Sequence, residues 1–348
     1  MTGVQTCALP ICYEVDIWGK NRFKTKGVEQ QLEMIHEDER AAYIALTSSF
    51  ASEYYNLIKF NKLLEVQKEI VEVQKEIVEK TEKKYVTGLA TETDVLNEKK
   101  VLTISEENLN NMEKSKKILE NQLKVYLANN DASIKTSAYD NVEVLQNIPE
   151  EYATSVIEKR PDYKRAETFI KKIGCDVSVA KRAFLPTFTI YGQIGFSAYE
   201  WDRMFTPNTQ MARVGVLPSV DFFTGGRKVA FLKFKKYQYE EALEKYKKTI
   251  LTSIQEVNDN SIMYQTAEKN YKQRAERARL EGRKCELMEH KNEIGAASDF
   301  DVLYNRKQNL IAQKEEISSK INYLISIISL YKAVGGEDLY NIKKVDKV

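Results

Sequence analysis

Apolar positions divide this chain into long stretches with helical spacing and one short stretch of strict alternation. The clearest helical signal is a tandem heptad, Glu65-Val66-Gln67-Lys68-Glu69-Ile70-Val71 followed by Glu72-Val73-Gln74-Lys75-Glu76-Ile77-Val78. Val66 and Val73 take one seam position and Ile70 and Ile77 the other, at the three-and-four spacing of a coiled coil. Val71 and Val78 add a flanking apolar row. The stripe is therefore wider than a two-stranded seam needs, and it predicts neighbours on two sides. These heptads lie inside a helix predicted from about Lys20 to Tyr85, which at 1.5 Å per residue would run roughly 100 Å. A matching helix is predicted from about Arg227 to Asn292. A shorter one, from about Asp162 to Phe184, carries Ala166, Phe169, Ile170, Ile173, Val177 and Ala180 at helical spacing. Arg160-Pro161-Asp162 supplies its start, with proline in the first turn.

Between residues 187 and 222 the period changes to two. Phe188, Ile190, Gly192, Ile194, Phe196 and Ala198 alternate with Thr187, Thr189, Tyr191, Gln193, Gly195, Ser197 and Tyr199. After a polar connection containing Trp201, Asp202, Arg203, Pro207 and Asn208, alternation resumes from Gln210 to Phe222. There Ala212, Val214, Val216, Pro218, Val220 and Phe222 form the apolar set. Two such strands with flanking aromatics, Tyr199 and Trp201 among them, fit a transmembrane β-hairpin. A soluble hairpin with one face on a core shows the same pattern. A lone hairpin between helices of this length has little core to cover, which favours the membrane.

The chain also repeats itself. Asp16-Ile17-Trp18-Gly19-Lys20-Asn21-Arg22 aligns with Asp221-Phe222-Phe223-Thr224-Gly225-Gly226-Arg227, and Leu46-Thr47-Ser48 with Leu251-Thr252-Ser253, at an offset of 205. Gly88-Leu89-Ala90 and Asp94-Val95-Leu96 align with Gly295-Ala296-Ala297 and Asp301-Val302-Leu303 at an offset of 207. Each copy runs from an Asp-aromatic strand end into a long helix, a glycine turn and a returning helix. Gly88 stops its helix by taking the left-handed conformation. Thr91-Glu92-Thr93-Asp94 and Ser298-Asp299-Phe300-Asp301 then read as capping boxes that start the next helices. A carboxylate at a helix N-terminus is stabilising in any case, so Asp94 and Asp301 need no further role to be explained.

Composition narrows the function. Lys plus Arg is 53 against 51 for Asp plus Glu, a net charge of +2, which argues against a nucleic-acid partner. The six prolines leave residues 11–148 and 219–348 free of proline, in keeping with two long-helix blocks. No run of about 18 apolar residues exists, so no membrane-spanning helix is expected, although a membrane β-barrel stays open. Cys7, Cys12, Cys175 and Cys285 lack metal-ligand spacing, and His36 and His290 are the only histidines. Neither a metal site nor a cofactor is expected. Residues 1–11, MTGVQTCALPI, carry no charged segment or apolar run of a secretory signal. They read instead as the translation of a sequencing adapter from a GTG start. Any signal peptide or lipid-anchor cysteine would then lie upstream.

Tyr13-Glu14-Val15-Asp16-Ile17-Trp18-Gly19-Lys20, Arg160-Pro161-Asp162, Ala183-Phe184-Leu185-Pro186, Asp221-Phe222-Phe223-Thr224-Gly225-Gly226-Arg227 and the two Gly…Asp-Val-Leu turns occur in an order that resembles the TolC/OprM outer-membrane channel family. The resemblance covers about residues 13–340. The Tyr-Glu-x-Asp-x-Trp-Gly start looks most like the lipoprotein branch that serves resistance-nodulation-division (RND) pumps. The resemblance implies a mainly α fold with a β-barrel portion: long coiled-coil hairpins in an internal two-fold repeat plus transmembrane strands. It implies a homotrimer in the outer membrane and periplasm of a Gram-negative bacterium, each chain giving four strands to a twelve-stranded barrel in outer-membrane lipid. It implies no enzymatic activity. The chain would be a passive conduit for small molecules, joined by a periplasmic adaptor to an inner-membrane pump of RND type. The segments would be a strand remnant and helical hairpin over 12–128, a middle segment over 129–184, a membrane hairpin over 185–222 and a second helical hairpin over 223–348.

The same resemblance assigns site residues. The turns Val86–Val95 and Ile294–Leu303 would dock the adaptor, with Gly88, Leu89 and Ala90 in one and Gly295, Ala296 and Ala297 in the other. Asp301 matches an acidic constriction position, and in a trimer it and Asp94 would each form a cation-attracting ring. Phe300 matches a position that is apolar in some members. Tyr304 stands where the family often has a second aspartate, a departure from a two-layer acidic gate. Tyr199 and Trp201 would belong to the membrane aromatic belt. Two rivals stand beside this reading: the related conduit for type I protein secretion, and a soluble coiled-coil scaffold.

Overall fold

A computed structural model describes residues 5–144 and 154–336. In chain order the elements are β1 (Gln5–Val15), α1 (Lys20–Val86), α2 (Glu92–Tyr126), α3 (Pro161–Arg182), β2 (Thr187–Ala198), β3 (Gln210–Ser219), α4 (Arg227–Glu293) and α5 (Asp299–Ala333). The chain forms two compact units, each assembled from separated stretches: residues 1–39 with 161–251, and residues 40–160 with 252–348. Helices α1 and α4 contribute to both. Among the described residues no helix is long and apolar enough to cross a membrane.

The first unit joins the sheet to the beginnings of α1 and α4 and to α3. The sheet has the order β1-β2-β3 and is antiparallel throughout. Residues 5–11 carry the alternation into β1, and all eleven residues of that strand pair with β2, from Gln5↔Ala198 to Val15↔Phe188. β3 ends at Ser219, three residues short of the span predicted from alternation. Its last partner is Thr187, the first residue of β2, so Val220 has no strand to pair with. The repeated strand end acts as a helix start: the Asp16 carboxylate accepts from the Asn21 and Arg22 N–H groups at 3.0 and 2.8 Å. Those backbone bonds and the charge of Arg22 hold its pKa below the ordinary carboxylate value, against a desolvation that raises it. α3 starts at Pro161, packs Cys175 against Gly27 of α1, and pairs Asp176 with Lys235 of α4 at 3.1 Å. It stops at Arg182, where Phe184 and Leu185 tighten into bonds to Lys181 and Arg182. Pro186 disfavours a helical Leu185, so the helix ends two residues before the predicted limit at Phe184.

The second unit is built on α1. Its tandem heptad buries Val66, Ile70, Val73 and Ile77 with Leu63 against Leu303, Leu310 and Ile317 of α5. Val71 and Val78 are buried as well. Hydrogen bonds from Gln67 to Ser105 and from Gln74 to Glu98 place α2 on a second side. The broad apolar stripe thus has the two neighbours it predicts. Arg160, the arginine before Pro161, closes the far end of α5: Nη1 donates to the Ala333 carbonyl at 2.8 Å and Nη2 to Glu256 Oε2 at 2.5 Å. A cation there meets the negative end of the α5 dipole.

Candidate channel elements and the helical turns

The two connections between long helices are built alike. In the first, the Leu89 N–H donates to the Lys84 carbonyl at 2.8 Å and the Gly88 N–H to Tyr85 at 3.0 Å. In the second, Ala296 donates to Lys291 at 2.7 Å and Gly295 to Asn292 at 2.9 Å. This pair of bonds is the Schellman termination, which requires a left-handed residue; both glycines have φ +73°. A β carbon on either would meet nothing within 4 Å, so glycine is required for its backbone angle and not for room.

Both returning helices start in the predicted capping boxes. Thr91 Oγ1 accepts from the Asp94 N–H at 3.2 Å, while Asp94 Oδ2 accepts from the Thr91 N–H and hydroxyl at 2.8 and 2.7 Å. Ser298 and Asp301 repeat the pattern at 3.2, 3.1 and 2.7 Å. The hydroxyl bond from Thr91, then its backbone N–H, holds the Asp94 carboxyl below the ordinary carboxylate range. Ser298 does the same for Asp301, with the positive charge of Lys84 adding to it. Both carboxylates are exposed and stay ionised at neutral pH.

The surroundings of the two turns differ. Lys80 of α1 reaches Asp299 at 2.7 Å, and the Lys84 ammonium lies 4.5 Å from the Phe300 ring centroid. Asn292 Nδ2 donates to the Ala297 carbonyl and to Asp299 Oδ1, both at 3.0 Å. Phe300 is half-buried against the α1–α5 core, whereas Tyr304 is exposed. At the first turn Glu82 of α1 pairs with Lys99 of α2 at 2.7 Å. The first turn is also the more apolar: Val86 and Leu89 are 84% and 79% exposed, where the second has Glu293 and Ala296. The repeat marks the turns themselves but not the contacts of Lys80 and Asn292 with Asp299. At the 207-residue offset Lys80 and Asn292 correspond to Leu287 and Tyr85, whereas Lys84 and Asp299 keep their chemistry in Lys291 and Glu92.

Polar layers seven residues apart cross α1, α2 and α5. Buried Gln74 donates to the Glu98 carbonyl and carboxylate at 3.2 and 2.7 Å and accepts from Lys307 Nζ at 2.6 Å. Buried Gln67 donates to the Ser105 carbonyl at 2.8 Å and accepts from Lys314 Nζ at 2.5 Å. Burial lowers the pKa of both lysines. A glutamine amide suits this place because it offers a donor to one neighbour and an acceptor to the other.

The sheet has two chemically distinct faces. The register puts Leu9, Ile11 and Tyr13 beside Ile194, Gly192 and Ile190, and these beside Ala212, Val214 and Val216. Leu9, Ile194 and Val214 are 78%, 70% and 83% exposed, so this apolar face is uncovered by the chain itself. Thr189, Tyr191, Gln193 and Arg213 stand on the other face. Tyr199 and Trp201 are exposed at the β2 end of the connection to β3. Inside that connection Met204 is buried and Phe205 meets Phe196 edge-on at 5.3 Å.

Nothing among the described residues suggests a metal: no group of three or more His, Cys, Asp or Glu is placed to hold one. Residues 5–129 and 153–336 match the outer membrane efflux protein family. The efflux pump outer membrane protein TtgC of Pseudomonas putida is 25% identical over 325 residues, covering 93% of this chain and 67% of the relative. The outer membrane protein OprJ of Pseudomonas aeruginosa is 24% identical, over 93% of this chain and 68% of its own. The crystal structure of the CmeC outer membrane channel of Campylobacter jejuni superposes with a TM-score of 0.86 at 23% identity, over 99% of this chain and 75% of that one. With the repeat, the capped turns and the two-faced sheet in place, and with the match spanning most of its length, the chain belongs to the outer membrane efflux protein family.

Proposed function

We propose that this chain is the outer-membrane duct of a tripartite efflux pump, a passive conduit whose energy comes from an inner-membrane transporter. The observation that carries the reading is the two-faced sheet, whose uncovered apolar face suits lipid and whose polar face suits a water-filled lumen. On this reading three copies close the barrel, with Tyr199 and Trp201 at the interface between lipid and water. The turns at 86–95 and 294–303 dock a periplasmic adaptor, which joins the duct to a pump of the RND class. Gly88, Leu89 and Ala90, with the exposed Val86, offer the more apolar docking surface. Gly295, Ala296 and Ala297 form the smaller one.

In three copies Asp301 and Asp94 become two acidic rings, ionised because their capping bonds favour the charged form. Like charges brought together at a narrow pore repel one another and attract cations. Phe300, held under Lys84, and the exposed Tyr304 complete the second ring's surroundings. The test is fractionation of the full-length protein together with site-specific crosslinking from the two turns. Outer-membrane recovery is expected, with adaptor crosslinks lost on Gly88→Glu or Gly295→Glu. Recovery in the soluble fraction overturns the reading, and unchanged crosslinking removes the docking role.

A further inference from the structure

The strands carry very little charge, and one charge among them has no counterpart. In β1, β2 and β3 the only ionisable acids and bases with full charge at neutral pH are Glu14 and Arg213. Glu14 lies beside Lys20 at 3.5 Å, where the strand meets α1. Arg213 is exposed, and among the described residues it has no ion-pair partner. It is the fourth residue of β3, roughly 10 Å in from the end nearest Trp201 at ~3.4 Å per residue. Glu200 and Arg203 of that connection face each other at 3.6 Å.

The register decides which way Arg213 faces. It stands opposite Gln193, which in turn stands opposite Pro10, on the face that carries Tyr191 and Thr189. Its neighbours Ala212 and Val214 point the other way, into the continuous apolar face with Ile194 and Leu9. An arginine among those apolar residues would face lipid at a heavy desolvation cost, whereas on the polar face it keeps its hydration. A guanidinium is charged at any physiological pH and presents a planar fork that matches carboxylate, phosphate or sulfonate groups.

We propose that Arg213 makes the interior of the barrel attract anions, so that solutes bearing a carboxylate, phosphate or sulfonate are favoured in the outer part of the duct. This rests on the channel reading above. Symmetry then places one guanidinium per copy at a single height, facing the same water-filled space. The charge has the opposite sign to the proposed acidic rings of the helical turns.

The test reads the local potential directly and does not depend on the state of any gate. In the full-length protein in lipid vesicles, with its own cysteines, Cys175 and Cys285 among them, replaced by serine, Gln193→Cys places a thiol opposite Arg213. Its reaction rates with an anionic and a cationic methanethiosulfonate are compared. Directly opposed residues have β carbons ~5 Å apart. A unit charge about 6 Å away in water changes the local concentration of a monovalent ion roughly threefold, up for one sign and down for the other. The anionic-to-cationic rate ratio should therefore fall about tenfold on Arg213→Gln at low salt and hold on Arg213→Lys. The difference should shrink below about twofold at 1 M salt, where screening acts over ~3 Å.

An unchanged ratio in Arg213→Gln, or a wild-type ratio indifferent to salt, overturns the inference. The wild-type salt titration keeps the test decisive should Arg213→Gln not fold. Ile194→Cys, one residue along on the apolar face, separates the two levels of the proposal. If it resists both reagents while Gln193→Cys reacts without charge preference, only the role of Arg213 falls. If it reacts as fast as Gln193→Cys, the barrel reading falls with it.

Discussion

Replacing Gln74 by leucine probes how the helical hairpins are held in register. Gln74 is buried, and its amide joins Lys307 of α5 at 2.6 Å to the Glu98 carboxylate of α2 at 2.7 Å. Leucine fills similar volume but leaves the half-buried Lys307 ammonium without its acceptor. A hydrogen bond to a charged group contributes about 1.5–3 kcal/mol, and partial access to water recovers some of that, so the expected loss is ~2 kcal/mol. Lys307→Met has the converse defect. It strands the buried Gln74 carbonyl oxygen, at about 1–3 kcal/mol. The double variant Gln74→Leu/Lys307→Met removes both polar groups and leaves an apolar pair, which should cost under ~1 kcal/mol. The cycle then gives a coupling of at least about 2 kcal/mol. Guanidinium unfolding of the detergent-solubilised protein, followed by far-ultraviolet circular dichroism, measures all four corners. Single-variant losses that add to within ~0.5 kcal/mol would refute the reasoning, because independent sites add. The layer of Gln67, Ser105 and Lys314 should behave the same way seven residues along.

The turns give further predictions. Gly88→Ala and Gly295→Ala should each cost about 1–2 kcal/mol from the left-handed backbone alone, with Asn milder than Ala; equal losses for Ala and Asn would show that something other than φ is at stake. Thr91→Ala and Ser298→Ala should each cost ~1 kcal/mol and speed hydrogen exchange in the first turns of α2 and α5, whereas unchanged exchange there would mean the caps contribute nothing. Asp94, Asp299 and Asp301 have folded pKa values lowered below their unfolded values, so their stabilisation is present above about pH 4 and is lost as pH falls through the folded values. Hydrogen exchange at the two turns should rise in that window, and Asp301→Asn should flatten the change at the second turn only.

Much of the architecture was legible because local signals and repeat agreed. Schellman glycines, capping boxes and the internal offset each pointed to the same two turns, and α1 and α4 end within one residue of their predicted limits. The strand ends were less legible. Alternation continues past Ser219 in the sequence, but pairing stops when β2 runs out of residues at Thr187. The Gln–Lys layers were half visible: Gln67 and Gln74 sit in the tandem heptad, and Lys307 and Lys314 are also seven apart. The apolar positions of the heptad carry no sign of the amide–lysine contacts, which span more than 230 residues of sequence. Lys80 and Lys84 were invisible for a different reason. On a solvated helix a lysine looks like any other until its neighbour is known, and here the neighbours are Asp299 and Phe300.

The central claim is that this chain forms a water-filled duct through a membrane. Planar-bilayer recording of the purified full-length protein measures that directly. The account predicts discrete, long-lived conductance steps whose cation preference falls on Asp301→Ala. A protein that inserts but conducts no ions, or that never leaves the aqueous phase, would contradict it.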